Sequence, residues 1–162
     1  MFMKELVIEN IREEIKGFKS FTFANGHGVE YQAGQFITLV DKTTSEEIRR
    51  SYSIVSSPVL NEPLSIAVKR IDNGYFSRKL IDRMKVGDRL LTTGAAGFFR
   101  LPDNLISYTS IFFFAAGSGI APILSLIKTV VHLYRGIAIY LIYSNRSLKT
   151  TAYYQELKQL SL

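Results

Sequence analysis

Arg49-Arg50-Ser51-Tyr52-Ser53-Ile54-Val55-Ser56-Ser57-Pro58 is the stretch on which the reading of this chain turns. β-Branched and aromatic residues in short alternation mark a β-strand, and Pro58 stops it. Side chains on a strand alternate between its faces. Arg50, Tyr52 and Ile54 therefore share one face, and Ser51, Ser53 and Val55 the other. A guanidinium and an aromatic ring stand side by side. That pair suits a ligand with both a phosphate and a flat ring. Arg grips phosphate through two parallel N–H bonds, and Tyr stacks or hydrogen-bonds through its hydroxyl. An ordinary edge strand, with a solvated Arg and a packed Tyr, would carry the same residues, so the surrounding sequence has to decide.

Upstream, Glu5–Ile15 alternates in part and reads as a strand bent near Asn10, and Phe18–Phe23 alternates as a second. Asn25-Gly26-His27-Gly28 is a turn, in which His27 is expected to face solvent. Ala33-Gly34 turns into a strand over 36–40, and 41–47 is a polar loop. Downstream, Leu64–Lys69 alternates again. Asn73-Gly74 opens a helix over Tyr75–Met84, whose Phe76, Leu80, Ile81 and Met84 fall on one face. Arg89–Thr93 is a further strand, followed by a small-residue bend over Gly94–Phe99. Short strands separated by turns indicate an antiparallel sandwich or barrel.

The grammar changes near Leu101–Asn104. Ile111–Ala115 is a continuous apolar strand, Gly117–Ala121 a glycine loop, and Pro122–Tyr134 a helix with Pro in its first turn. Gly136 ends that helix. Ile137–Tyr143 is a second apolar strand and Thr151–Leu160 a second helix. Strand, helix, strand, helix implies a parallel α/β arrangement. The expected division is 1–104, an antiparallel barrel, and 105–162, a partial α/β unit.

Composition narrows the function. Twenty Lys and Arg against fourteen Asp and Glu give +6, which favours anionic ligands. The cations form no block, so nucleic acid is not an expected partner. Cysteine is absent and only two His are present. Disulfides, a catalytic thiol, a cysteine-ligated iron–sulfur cluster and a His-rich metal site are thereby excluded or disfavoured. The charged N-terminus lacks a signal-peptide core, and a cytoplasmic protein is expected. From Asn104 to Ile127 no residue carries a formal charge. The run is long enough to span a bilayer, but Gly117-Ser118-Gly119 and Pro122 interrupt it, and no membrane association is expected.

Two more segments fit anions. Gly74-Tyr75-Phe76-Ser77 opens a helix, where backbone N–H groups and the dipole attract negative charge. Gly117-Ser118-Gly119 lies between a buried strand and a helix, the usual place of a nucleotide-phosphate loop. Each has an ordinary reading, as a capped helix and a tight turn.

The order of these pieces is more specific than any one of them. Arg-x-Tyr-Ser, a Val-Lys strand, Gly-x-x-Ser, Val-Gly-Asp, Gly-x-x-Gly-x-Phe and Ala-Gly-Ser-Gly-Ile-Ala-Pro together resemble the ferredoxin–NADP⁺ reductase family. The likeness is closest to its oxygenase-reductase and flavohaemoglobin-reductase branch. The resemblance implies a flavin-binding antiparallel barrel followed by a parallel nicotinamide-nucleotide domain, with FAD and NAD(P)H as cofactors and an electron-acceptor protein as partner. It implies that Arg50 binds the flavin phosphate and that Tyr52 lies against the ring or ribityl chain. Ser53 would hydrogen-bond near the flavin N5 that receives hydride. Gly74 and Ser77 would hold the pyrophosphate, and Gly117, Ser118 and Gly119 would face the nicotinamide nucleotide. Arg146, just after the second parallel strand, is a candidate for reading a 2′-phosphate.

The family's nucleotide domain continues for several more strands and carries a late Cys-Gly segment; this sequence ends at Leu162. Two expectations follow: a flavin-dependent reductase of a ferredoxin or oxygenase component, or a flavin-binding module without NAD(P)H turnover. Any iron–sulfur acceptor must belong to another chain. An apolar strand left at a sheet edge would also favour self-association through 105–162 or a longer native product.

Overall fold

Alternating apolar positions give the first part of the chain six strands: β1 (Lys4–Ile15), β2 (Phe18–Phe23), β3 (Phe36–Asp41), β4 (Ile48–Ser53), β5 (Ser65–Lys69) and β6 (Arg89–Ala96). The computed structural model describes residues 3–43 and 46–161, so 44–45, inside the polar loop read over 41–47, lie outside the described residues. The strands form one antiparallel sheet in the order β4-β3-β6-β1-β2-β5. A register shift between Ile8 and Asn10 bends β1 where the sequence suggests. The sheet curls until its two edge strands meet. Ile54, just past β4, bridges Ile66 of β5, and Val55 N donates to Ser65 O at 2.9 Å. Leu6, Phe21, Ile37, Leu39, Ile54 and Ile66 fill the interior, joined by Phe76 and Leu80 of α1 (Tyr75–Arg83). Lys79 of α1 reaches Asp41 at the end of β3 at 2.6 Å, which fastens the helix to the barrel.

The second part runs β7 (Ser110–Ala116), α2 (Ile120–Leu133), β8 (Ala138–Ser144) and α3 (Tyr154–Leu160). β7 and β8 pair in parallel from Ser110–Ala138 to Ala116–Ser144. α2 packs between this sheet and the barrel. Its Ile120, Leu124 and Ile127 share one apolar cluster with Phe113 and Ala115 on one side and Phe18, Ala33, Val55 and Ala67 on the other. The opposite face of the small sheet is bare. Phe112, Phe114, Tyr140 and Ile142 are 57, 68, 51 and 56 % exposed, and Phe112 stacks on Tyr140 at 4.7 Å.

Several local expectations need correction. Gly94–Ala96 belongs to β6, because pairing of Ile37 with Ala95 and Phe36 with Ala96 outweighs the weak strand preference of small residues. α2 starts at Ile120 rather than Pro122, directly after a 3₁₀ turn over Gly117–Gly119. Pro122 still lies in the first turn, where its missing N–H costs nothing. α3 starts at Tyr154 rather than Thr151, because Tyr153 takes a left-handed φ of 58° and Leu148–Thr150 forms its own 3₁₀ turn. His27 is half-buried, not solvent-facing, and its Nδ1 accepts a bond from Val29 N at 2.9 Å. Burial, with Lys4 nearby, pushes its imidazole below the usual range. Among the described residues no helix is long and apolar enough to cross a membrane.

Gly34 is tightly enclosed, by the Phe99 backbone and by Leu126 of α2. Its φ is +88°, and an added Cβ would lie 2.0 Å from Phe99 O and 3.0 Å from Leu126 Cδ2. Overpacking against backbone and a left-handed φ act together, so Gly34→Ala should lower stability by at least about 2 kcal/mol. Urea unfolding of both proteins checks this, and an unchanged midpoint would refute the close packing.

Candidate functional site

β4 supplies the first group of candidates. Arg50 and Tyr52 stand opposite Leu39 and Ile37 of β3, both fully buried. Directly opposed residues share a face, so the pair begins on the core-facing side, as the alternation requires. Ser51 lies on the other face, 3.0 Å from Thr38 Oγ1. Arg50 remains exposed. Its Nη1 donates only to the neighbouring Arg49 O at 2.7 Å, and no carboxylate pairs with it among the described residues. Tyr52 is half-buried, its ring meeting Phe76 of α1 edge-on at 6.2 Å. Burial pushes the phenol up to about 12, against the opposing field of Arg50. Tyr52 is therefore neutral near pH 7 and able to donate. Ser53, half-buried beside it, has a hydroxyl without a hydrogen-bond partner among the described residues.

The Tyr52–Phe76 contact places β4 next to the start of α1. The first bond of that helix is Arg78 N to Gly74 O at 3.1 Å. The Tyr75, Phe76 and Ser77 amides precede it and have no intrahelical acceptor. Gly74 is demanded by its own turn, since a Cβ there would sit 2.5 Å from Ser77 Oγ. Ser77 is buried, accepting from Ile71 N at 3.2 Å and donating to Gly74 O at 3.3 Å. Its hydroxyl holds the turn, which leaves the backbone amides as the free donors.

The second group lines a cleft of about 720 Å³ between barrel and α/β unit. Gly117 and Ser118 meet Arg146, Gly17, Lys69 and Arg70 there; Gly119 is not part of the lining. Tyr143 donates to Gly117 O at 3.0 Å and holds the glycine turn against β8. Arg70 is committed to Asp72 at 3.0 Å and Asp82 at 3.1 Å. Lys16, Lys69 and Arg146 have no carboxylate partner among the described residues, so the cleft keeps an excess of positive charge. Asn145 Nδ2, in its wall, is the one buried side-chain nitrogen or oxygen without a partner among the described residues.

The structure thus brings Tyr52 to the start of α1, with Arg50 and Ser53 on the same strand, and Gly117, Ser118 and Arg146 to the cleft. Asp72, in the cleft wall, lies two residues before Gly74. Lys16, Lys69 and Asn145 were not singled out from the sequence. Lys69, in the Val-Lys strand, had a signal, whereas Lys16 and Asn145 join the cleft only through tertiary docking. No group of three or more His, Cys, Asp or Glu could hold a metal among the described residues.

Residues 6–101 match the model of the oxidoreductase FAD-binding domain, and residues 113–162 that of the oxidoreductase NAD-binding domain. The ferredoxin reductase component of 3-ketosteroid-9-alpha-monooxygenase from Rhodococcus rhodochrous is 32 % identical over 161 residues, which cover 96 % of this chain and 45 % of that one. The glycine betaine monooxygenase reductase subunit of Pseudomonas aeruginosa is 31 % identical, over 81 % of this chain and 35 % of that one. The crystal structure of a ferredoxin NADP⁺ reductase from Neisseria gonorrhoeae with bound FAD and NADP superposes with a TM-score of 0.84 at 25 % identity, over 98 % of this chain and 64 % of that one. The chain spans about half the length of the curated relatives it matches, or less.

Proposed function

Because the chain belongs to the oxidoreductase FAD-binding domain family, we propose that it is the flavin-binding core of an NAD(P)H-dependent reductase. It takes hydride onto FAD and passes electrons to a protein acceptor, a ferredoxin or an oxygenase component. The observation that carries this reading is the Tyr52–Phe76 contact, which sets the strand of the unpaired Arg50 against the first turn of α1 and its free amides. A cation and a helix N-terminus side by side fit a pyrophosphate better than a single phosphate. FAD, when bound, supplies the two-electron chemistry.

The chain's own residues then bind and orient. Arg50 and the Tyr75–Ser77 amides, with Gly74 shaping their turn, hold the pyrophosphate. Tyr52 presents a neutral phenol to the ring system or ribityl chain, and Ser53 offers its free hydroxyl near the hydride-accepting nitrogen. Gly117, Ser118 and Gly119 let the backbone approach the nicotinamide nucleotide. Lys16, Lys69 and Arg146 balance its charge, with Arg146 reading a 2′-phosphate. On this reading the chain divides near residue 104 into an FAD-binding barrel, 1–104, and part of an NAD(P)-binding unit, 105–162. We place it in the cytoplasm, since a chain without cysteine has no need of an oxidising compartment.

Cofactor released by heat should run as FAD in chromatography, and FMN alone would count against the pyrophosphate site. Arg50→Ala should weaken FAD binding by about 1.5–3 kcal/mol, the scale of a lost charged hydrogen bond. Unchanged affinity would remove Arg50 from the site. Arg146→Ala should lower the ratio of NADPH to NADH affinity, measured as dissociation constants; an identical ratio in both proteins would end that role. The bare face of β7–β8 and its unpaired edges favour self-association. Light scattering should then report species heavier than 18.3 kDa, and a monomer at high concentration would exclude it.

A further inference from the structure

The strand that carries Arg50, Tyr52 and Ser53 does not end at the barrel. Its continuation, Ser56-Ser57, is buried against the middle of α2. Ser125 Oγ donates to Ser56 O at 2.6 Å. Thr129 Oγ1 donates to Ser125 O at 2.9 Å and lies 2.7 Å from Ser57 Oγ. A hydroxyl has one proton. Thr129 gives its own to Ser125 O, so Ser57 must donate to Thr129. Ser125 and Thr129 are one helical turn apart and therefore adjacent on α2. Lys128, on the same side, pairs with Glu62 at 3.3 Å and Glu156 at 2.7 Å, and Glu62 Oε1 accepts from Ser57 N. Ser56 Oγ accepts from Tyr31 OH at 2.8 Å and Ser65 N at 2.9 Å, which fixes the Ser-Ser turn to the barrel.

Apolar packing of α2 on the barrel is non-directional and would tolerate sliding. These bonds are directional. A small slide would strand several buried hydroxyls at once, so they hold α2 in one register. α2 begins immediately after Gly117–Gly119. From Gly119 to Ser125 is about 9 Å of helix, and from Ser53 to Ser56 about 10 Å of extended chain. The clamp therefore sits midway between the two groups of site residues and is joined rigidly to each.

We infer that the hydrogen-bonded clamp of Ser56–Ser57 with Ser125–Thr129 sets the position of the Gly117–Gly119 turn relative to β4. Resting on the reading above, Ser125 and Thr129 are positioning residues for hydride transfer from nicotinamide to flavin. Transfer needs the reacting atoms about 3–3.5 Å apart, and an error of 1 Å can cost about a hundredfold in rate. Neither residue lines the cleft.

The test uses the absence of cysteine. Glu9→Cys on β1 and His132→Cys on α2, both exposed, take spin labels, and the distance distribution between them is measured in the full chain without cofactor. The parent should give one narrow distance. Thr129→Val, which keeps shape but loses the hydroxyl, should widen or shift it, and Thr129→Ser should restore it. In unlabelled protein, Thr129→Val should bind FAD within about twofold of the parent but slow flavin reduction by NADH about tenfold or more. An unchanged, narrow distribution in Thr129→Val overturns the clamp. A changed distribution with unchanged reduction rate overturns the positioning role. Should Thr129→Val fail to fold, Ser57→Ala removes the other end of the same bond and is read by the same criteria. A parent that binds no FAD would sink the flavin reading, and the label distances would still decide the clamp.

Discussion

The fold depends on closure of the barrel at the Ile54–Ile66 bridge. Six antiparallel strands leave β4 and β5 as edges, and open edges invite pairing with other chains. One bridge, with Val55 N on Ser65 O, joins them. The same closure buries Ile54 and holds Tyr52 over the interior, where Phe76 meets its ring. It also directs the next residues, Ser56 and Ser57, outward onto α2. Barrel, α1 and α/β unit are thus positioned from ten consecutive residues, because that strand ends where three elements meet.

Charge placement shows why neighbouring arginines do different work. Arg49 of β4 pairs at 2.6 Å with Glu47, which lies just before the strand. Such an exposed pair adds little to stability, because water and salt screen it. Arg50 alternates to the other side, opposite apolar Leu39 and beside Tyr52. Glu47 pairs with Arg49 and not with it, and no ion pair to Arg50 forms among the described residues. The cleft follows the same logic: Arg70 is satisfied by Asp72 and Asp82, whereas Lys16, Lys69 and Arg146 are not. Unsatisfied cations converging on backbone amides and glycines mark an anion site better than the net charge of +6, which says nothing about location.

What could be read from the sequence follows from what is local. Strand alternation placed Arg50 and Tyr52 on one face correctly, because the rule involves only the strand itself. The sequence order of strands and helices was legible for the same reason. Boundaries failed where tertiary contacts outvoted local preference. β3 recruited Gly94–Ala96 into β6, and burial of Tyr153 between Phe18 and Ser20 holds a bulky residue at positive φ and delays α3. The cleft was only half legible: Gly117 and Arg146 had motif signals, but their meeting with Lys16 and Lys69 requires the docked units. Ser125 and Thr129 did carry a signal, two hydroxyls at i and i+4 on a largely apolar helix. Its meaning depended on Ser56 and Ser57, some seventy positions earlier, facing them.

The small sheet obeys the same physics with a different outcome. β7 and β8 are apolar on both faces, the composition of strands covered from both sides. α2 covers one face and takes Phe113, Ala115 and Leu141 into its cluster. On the other, parallel register sets Phe112 beside Tyr140 and Phe114 beside Ile142, so four large apolar side chains form one continuous surface rather than scattered exposures. Isolated apolar residues on a surface need no explanation, but a contiguous patch does. At about 25 cal/mol for each Å² of apolar area buried, cover over this face would contribute several kcal/mol. The sequence of these two strands is therefore suited to a surface that something else completes. The clamp to the barrel secures only the side that α2 already occupies.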